Sequence, residues 1–302
     1  MKKPLLSICI PTYNRALCLK DCLESIVVQF KDNGVFNQVE VVISDNASTD
    51  NTTAIVKEFQ NKFANIKYFR NETNLGFDRN ILNIIEKSEG EYCLTIGDDD
   101  GFFPGSFSYI LNKIKTMGAP YYIINSWGYD HELVYPILSH PNMQTDKDIL
   151  YESLTEYVRT INKKGDLLGA VCGLSHIFHR DEWMNFENKE QYIGTNVIYF
   201  HISLSVFKNS RCAILAEPII KTRSANVRWD EAQGLGSMHE RITSTVGLAV
   251  WVKNLFHLPI SNFNLQFYFY SRGYWFAFKE LVKSMLSKLG LGTLIDYYRK
   301  IR

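Results

Sequence analysis

Three carboxylates stand side by side at Asp98, Asp99 and Asp100, reached from the apolar run Tyr92-Cys93-Leu94-Thr95-Ile96 through Gly97. A buried strand that ends in this much negative charge needs a counter-charge, because an ion taken out of water without a partner is costly. Oxygen ligands of this kind suit magnesium or manganese, which can bridge a carboxylate to two phosphate groups and offset their charge. Solvated aspartates in a turn would have the same sequence, so the triplet marks where function should lie and leaves its ligand open.

Other polar groups also follow apolar runs. Leu5 to Ile10 leads into Pro11-Thr12-Tyr13-Asn14-Arg15, and Val39 to Ile43 leads into Ser44-Asp45-Asn46-Ala47-Ser48-Thr49-Asp50. A carboxylate at Asp45 can accept from a base N–H, and the same residue can cap the helix that follows. Late in the chain, His239 in Gly236-Ser237-Met238-His239-Glu240-Arg241 offers a metal or phosphate contact, since glycine lets a loop approach a ligand closely. A helix amino terminus explains that segment equally well. Trp229 fits either packing or stacking on a sugar face.

These groups need a frame. Leu5 to Ile10, Val39 to Ile43, Ile66 to Phe69 and Tyr92 to Ile96 read as strands. Between them, the spacings Leu19-Leu23-Ile26-Val27-Phe30, Ile55-Val56-Phe59 and Ile81-Leu82-Ile84-Ile85 read as one-sided helices. The rhythm predicts an α/β fold, a Rossmann-like, mainly parallel central sheet flanked by helices, with functional loops at the strand ends. A helix carrying Phe107, Ile110, Leu111 and Ile114 and a strand at Tyr121 to Ile124 follow. Lys147 to Ile161 reads as helical, and Asp166 to Phe178 as a turn and strand.

The chain has 302 residues and a formal charge of +1, which gives no reason to expect nucleic acid. Its six cysteines form no C-x-x-C pair, so reduced thiols in a cytoplasmic protein are the simplest account. Met1-Lys2-Lys3-Pro4 runs straight into an apolar segment too short for a secretory signal and reads as the approach to an opening strand. The last forty or so residues (263–302) crowd aromatics such as Phe267, Tyr270 and Trp275 against Lys279, Lys283 and Lys288. That mixture fits a helical extension, either peripheral at an anionic membrane surface or packed into a core or a homo-oligomer interface. Charges at Arg272, Lys279 and Glu280 argue against a membrane span.

The ordered segments Ser7 to Arg15, Val42 to Asp50, Asn74-Leu75-Gly76 and Gly97-Asp98-Asp99-Asp100 resemble the family 2 glycosyltransferases of the GT-A fold. The resemblance is dense over the first third and looser beyond. It implies a nucleotide-sugar half at 1–101, an acceptor half at 102–262 and the extension at 263–302. It also implies that Pro11, Thr12, Tyr13, Asn14 and Arg15 enclose the nucleotide, that Asp45 reads the base, and that Asn74 belongs to the same pocket. Asp98 and Asp99 would lie near the ribose and diphosphate, with Arg79 compensating diphosphate charge through its five donors. Asp100, with Asp98 and a contribution from His239, would hold Mg2+ or Mn2+.

Such enzymes generally invert the anomeric centre by direct displacement, which requires a base for the acceptor hydroxyl. The family's usual Glu-Asp pair is missing here, leaving His201, Glu190 and Asp181 as candidates. The aspartate triplet, the Tyr192-Ile193-Gly194-Thr195 segment and the missing pair also resemble abequosyltransferase-like bacterial members. The resemblance implies a nucleoside-diphosphate sugar as donor and a saccharide acceptor, and the late aromatic and basic region suggests an acceptor carried at a membrane, such as a lipid-linked saccharide in surface-polysaccharide assembly of O-antigen or capsule. The enzyme would then be cytoplasmic, or peripheral on the inner face of the cytoplasmic membrane. A nucleotidyltransferase would also hold metal and diphosphate at strand ends, but should carry an early glycine-rich basic segment. An inactive sugar-binding scaffold of the same fold is the remaining alternative.

Overall fold

The computed structural model describes residues 3–164, 176–223, 251–252 and 254–257. Two compact units are present, one of 1–157 with 170–233 and one of 158–169 with 234–302. The extension at 263–302, with His239 and Trp229, lies outside the described residues. In the second unit, the short turn at the end of the described residues closes through Phe256 N–H to the Val252 carbonyl at 3.1 Å.

The first unit is built on one sheet. Strands β1 (Leu6–Thr12), β2 (Val39–Asp45), β3 (Ile66–Arg70) and β4 (Tyr92–Thr95) lie in the order β3-β2-β1-β4, all parallel. Helices α1 (Ala16–Val27), α3 (Thr52–Gln60) and α4 (Phe77–Lys87) make the crossovers, and α2 (Asn33–Phe36) is a short turn before β2. Every residue of β1 and β2 is buried, as parallel strands covered on both faces must be. Leu6, Ile8 and Ile10 share a core with Leu19, Leu23 and Ile26 of α1 and with Ile55, Val56 and Phe59 of α3. The helix α4 packs on β1 and β2 and buries Ile81, Ile84 and Ile85.

Beyond β4 the sheet becomes mixed. Strands β5 (Gly101–Phe102), β6 (Tyr121–Tyr129), β7 (Ile149–Tyr151), β8 (His176–His179) and β9 (Cys212–Arg223) complete it. The strand β8 inserts antiparallel between β4 and β6, while β6 and β9 run parallel. Helix α5 (Ser106–Met117) begins after Gly105 and ends at Gly118, two glycines whose positive φ of 83° and 57° favours that residue type. The helices α6 (Leu154–Lys164), α7 (Arg180–Met184) and α8 (Ile198–Phe207) complete the described elements.

Two expectations change. Lys147 to Ile161 is not one helix: Ile149–Tyr151 pairs with Cys212–Ile214 of β9 before α6 starts. Asp148 takes the chain out of helical geometry by accepting from Tyr109 Oη at 2.7 Å and from Ala216 N–H at 2.8 Å. Ser153 Oγ then accepts from Glu156 N–H at 3.1 Å, and the Glu156 carboxylate accepts from Glu152 N–H at 3.2 Å, bonds that fix the start of α6. The strand at Tyr121 is also longer than expected, because β9 supplies a partner out to Tyr129.

At the amino-terminal edge of the sheet, Gly90 N–H donates to Ser7 Oγ at 2.8 Å, and Ser7 Oγ donates to the buried Glu40. A Cβ on Gly90 would stand 2.5 Å from Ser7 Oγ and 2.6 Å from the Ser7 backbone nitrogen. Gly90→Ala should therefore cost about 1–3 kcal/mol through overpacking, read as a lowered urea midpoint at unchanged m value.

Candidate active site

Strand register assembles the site before any side chain is considered. Thr12 pairs with Asp45, and Asp45 pairs with Arg70, so three neighbouring strands end in polar residues at one edge. The turn after β4 brings Asp98, Asp99 and Asp100 to that same carboxyl edge, where ligands of open α/β sheets collect. It folds back over Gly97, at which a Cβ would lie 2.6 Å from Asp99 Oδ1.

The aspartates are tied down by three elements. Thr12 Oγ1 donates to Asp98 Oδ2 at 2.7 Å. Arg15 reaches Asp98 Oδ1 at 3.0 Å and Asp99 Oδ2 at 2.6 Å with a side chain only 7% exposed. From the end of β9, Arg223 N–H donates to Asp100 Oδ1 at 3.0 Å, and its Nε donates to the Asp99 carbonyl at 2.7 Å. The remaining guanidinium nitrogens of Arg223 donate to the His131 carbonyl and to Asp21.

Burial decides the protonation of this cluster. It pushes Asp98 up to about 7, with Arg15 opposing the rise and Asp99 adding to it. Asp100 is raised in the same direction, by burial first and the Asp99 charge second. Burial also works against the Arg15 cation, but Asp98 and Asp99 outweigh it and hold Arg15 above its ordinary value. Two carboxylates are thus committed to Arg15, and Asp100 has the least compensation. Its hard oxygens suit a divalent cation whose other ligands come from phosphate, since among the described residues no three acidic, histidine or cysteine side chains form a metal cluster by themselves.

The two neighbouring exit loops interlock. Asn14 and Ala47 take left-handed φ values of 52° and 66°. Asn14 N–H donates to Ser48 Oγ at 2.9 Å, and Asn14 Oδ1 accepts from Thr49 N–H at 2.7 Å. Asp50 accepts from the Ala16 N–H at the start of α1 and from Thr52 N–H at the start of α3. Pro11 is buried beneath this turn, and Tyr13 is half-buried in it.

Asp45 is fully buried, and its oxygens are already engaged. Oδ1 accepts from Ser48 N–H at 2.8 Å, and Oδ2 accepts from Tyr68 Oη at 2.5 Å with Arg70 Nε 3.7 Å away. Burial and that bond push the Tyr68 hydroxyl up to about 12, so it stays a donor. A base N–H would have to displace Tyr68 to reach Asp45. Next to it, Asn46 binds the Leu75 N–H and the Asn74 side chain, placing Asn74 in the same loop cluster. Arg79 is exposed on α4, between the buried Asp78 and Asn80.

The base candidates are separated. Antiparallel pairing sets His179 beside Tyr92, so Asp181 stands near the beginning of β4, at the opposite end from Asp98. There Asp181 pairs with Arg180 at 3.0 Å and Lys3 at 3.7 Å. His201 is buried inside α8, stacked on Tyr192 with ring centroids 4.7 Å apart, and burial drives it down to about 4. Glu190 is exposed on the short turn Lys189–Tyr192. Sequence reasoning passed over Asp78 and Arg223. The one local signal for Asp78 is its place two residues after Gly76, in the first turn of α4.

Residues 7–181 match glycosyl transferase family 2, and the chain belongs to that family. Among curated proteins it is 33% identical to abequosyltransferase RfbV of Salmonella typhimurium over 75% of this chain and 69% of that protein. It is 32% identical over 36% of its length to a GalNAc(5)-diNAcBac-PP-undecaprenol beta-1,3-glucosyltransferase of Campylobacter jejuni, spanning 34% of that enzyme. Among solved structures, S. aureus TarS 1-349 in complex with UDP-GlcNAc aligns with a TM-score of 0.60 at 18% identity, covering 82% of this chain and 66% of that one. The Pyrobaculum calidifontis mannosyltransferase PcManGT, in complex with GDP-Man and Mn2+, aligns at 0.54 and 13% identity over 85% of this chain and 69% of its own. The protein is thus a glycosyltransferase with the GT-A fold. No helix among the described residues is long and apolar enough to cross a membrane.

The raised Asp98 has a sign that can be measured. In the unfolded chain an aspartate ionises near about 4, so the contribution is complete below that value. It is lost as pH rises through about 7 in the folded protein. Without divalent metal, the melting temperature of the parent relative to Asp98→Asn should fall between those values. A difference that rises with pH would reverse the assignment.

Proposed function

We propose that the chain transfers a sugar from a nucleoside-diphosphate sugar to a saccharide acceptor, with inversion and with dependence on a divalent metal. The observation that carries this reading is the aspartate turn, held at the carboxyl edge by Thr12, Arg15 and Arg223 beside the interlocked Asn14 and Ser48 loops. The backbone and hydroxyl groups of Pro11 to Arg15 would enclose the nucleotide, with Asp98 and Asp99 beside the ribose. Asp45 would reach the base once Tyr68 yields its bond.

Asp100 would hold Mg2+ or Mn2+, with Asp98 behind it and His239 as a contribution from outside the described residues. When bound, the metal offsets the negative charge that grows on the departing diphosphate. Arg15 keeps the turn folded under that charge, and Arg79, exposed in the first turn of α4, can swing toward phosphate. Glu190 is the proposed base. Asp181 is at the wrong end of β4, while burial makes His201 a poor proton acceptor near neutrality.

The acceptor is proposed to be lipid-linked and part of surface-polysaccharide assembly. The name of the Campylobacter relative, a glucosyltransferase of an undecaprenol-linked saccharide, supports this. Residues 263–302 would then supply peripheral membrane contact on the cytoplasmic face, with a homo-oligomer interface as the other use of the same aromatic surface.

A screen of activated sugars with Mn2+ or Mg2+, scored by release of nucleoside diphosphate, tests the reading. Asp100→Asn should lower metal-dependent turnover by about a hundredfold or more, with an unchanged circular-dichroism spectrum. Equal turnover at saturating metal would remove Asp100 from the site. Glu190→Gln should reduce transfer by about 10²-fold or more while nucleotide affinity holds. A parental rate in that variant would return the base to an unassigned group.

A further inference from the structure

Asp78 lies in the first turn of α4, far in sequence from everything it binds, and is 3% exposed. Its Oδ2 accepts from the N–H groups of Gly194 at 2.8 Å and Asn196 at 2.9 Å, and Oδ1 accepts from Ile198 N–H at 3.2 Å. One carboxylate therefore satisfies the first turn of α8 and the bend that leads into it, amides that would otherwise need partners. That bend is unusual in its backbone, with φ of 91° at Gly194 and 57° at Asn196. Phe77 adds an edge-on contact to Tyr199, with centroids 6.3 Å apart.

On its other side Asp78 continues the loop that meets the proposed nucleotide pocket. Gly76 N–H donates to Asn74 Oδ1, which also accepts from Asn46 Nδ2 at 2.6 Å, one residue beyond Asp45. An unbroken path of polar contacts and peptide bonds thus runs from the end of β2 through Asn74 and Gly76 to Asp78 and the Gly194–Ile198 bend. Burial raises the proton affinity of Asp78 while its amide partners act against that rise. Asp78 thus joins two segments 116 to 120 residues apart in sequence from one buried position.

We infer that Asp78 is a positioning residue that locks the Gly194–Ile198 bend to the Asn74–Gly76 loop, so that nucleotide occupancy fixes the surface where the acceptor arrives. This rests on the glycosyl-transfer reading above. It assigns Asp78 no contact with substrate, and it makes the bend a reporter of donor binding.

Amide hydrogen exchange on the full chain with Mn2+ tests the coupling, using whichever of UDP, GDP, CDP or dTDP binds by calorimetry. In the parent, the nucleotide should slow exchange at Gly194, Asn196 and Ile198 by about fivefold or more. Asp78→Asn should bind the same nucleotide within about threefold of the parent affinity yet lose that slowing. Gly194→Ala strains the bend from the other side without touching α4, and should lose it as well. A merely structural role would raise exchange in both variants but leave the nucleotide-dependent change in place. Nucleotide binding to the parent with no change at these amides, or slowing retained in Asp78→Asn, would overturn the inference alone. Absence of binding by all four nucleotides would overturn the donor-site reading and this inference with it.

Discussion

The contact between Arg15 and the pair Asp98 and Asp99 is the constraint from which the rest of the site follows. Three carboxylates at a covered strand end would repel one another and resist desolvation, and one buried guanidinium offsets two of them. A planar cation with two forks can span two carboxylates in a way that a lysine cannot. It also fixes geometry: with Arg15 at the exit of β1 and the aspartates at the exit of β4, neighbouring strands are stitched together at their carboxyl ends. Asp100 is left without a guanidinium partner, and burial with the Asp99 charge raises its proton affinity, so ionising it would call for an external cation. Arg223 completes the arrangement by holding the backbone of the turn, so the third carboxylate is presented rather than collapsed onto the second.

Away from that turn, the site changes from charges to amides. Asn80 Oδ1 accepts from Ser44 Oγ and from Asn71 Nδ2, Asn71 Oδ1 accepts from Asn83, and Asn46 joins Asn71 to the Asn74 loop. Asparagine both donates and accepts, so such a chain can satisfy every member without adding net charge. The consequence is electrostatic. Among the described residues, this amide chain therefore adds no net charge beside the aspartate turn. Asp78 belongs to the same logic, since its charge is spent on backbone N–H groups and is turned away from the pocket.

Much of this was legible from sequence where the signals are local. Apolar runs marked β1, β2 and β4 because parallel strands covered on both faces are buried throughout, whereas the edge strand β3 is only partly buried. The polar segments that end them marked Thr12, Arg15, Asp45 and the aspartate triplet, which strand register then brings to one edge. What could not be read depends on contacts between distant segments. Ile149–Tyr151 becomes a strand only because β9 is beside it, and its own pattern suits the start of a helix. Arg223 and Asp78 look like ordinary surface charges until β9 and α8 bring their partners within bonding distance. Asp45 stands at the end of its strand, as its place after an apolar run indicated, but the Tyr68 hydroxyl that occupies it comes from the next strand.

The base candidates scatter for a topological reason. A parallel strand leaves its C-terminal residue at the functional edge, so a polar residue after an apolar run is a fair guide through β4. The strand β8 runs the other way, and the same rule applied to Asp181 points to the opposite edge, where it meets Lys3 and Arg180. The chain then has to travel back across the sheet's length, and it regains the functional edge only where Gly194 meets Asp78. Any acidic group that serves the acceptor from this stretch must come from that return path, not from the end of the strand. Glu190 lies on the path and remains exposed, whereas His201 comes after it, inside a helix whose packing has already consumed its ring.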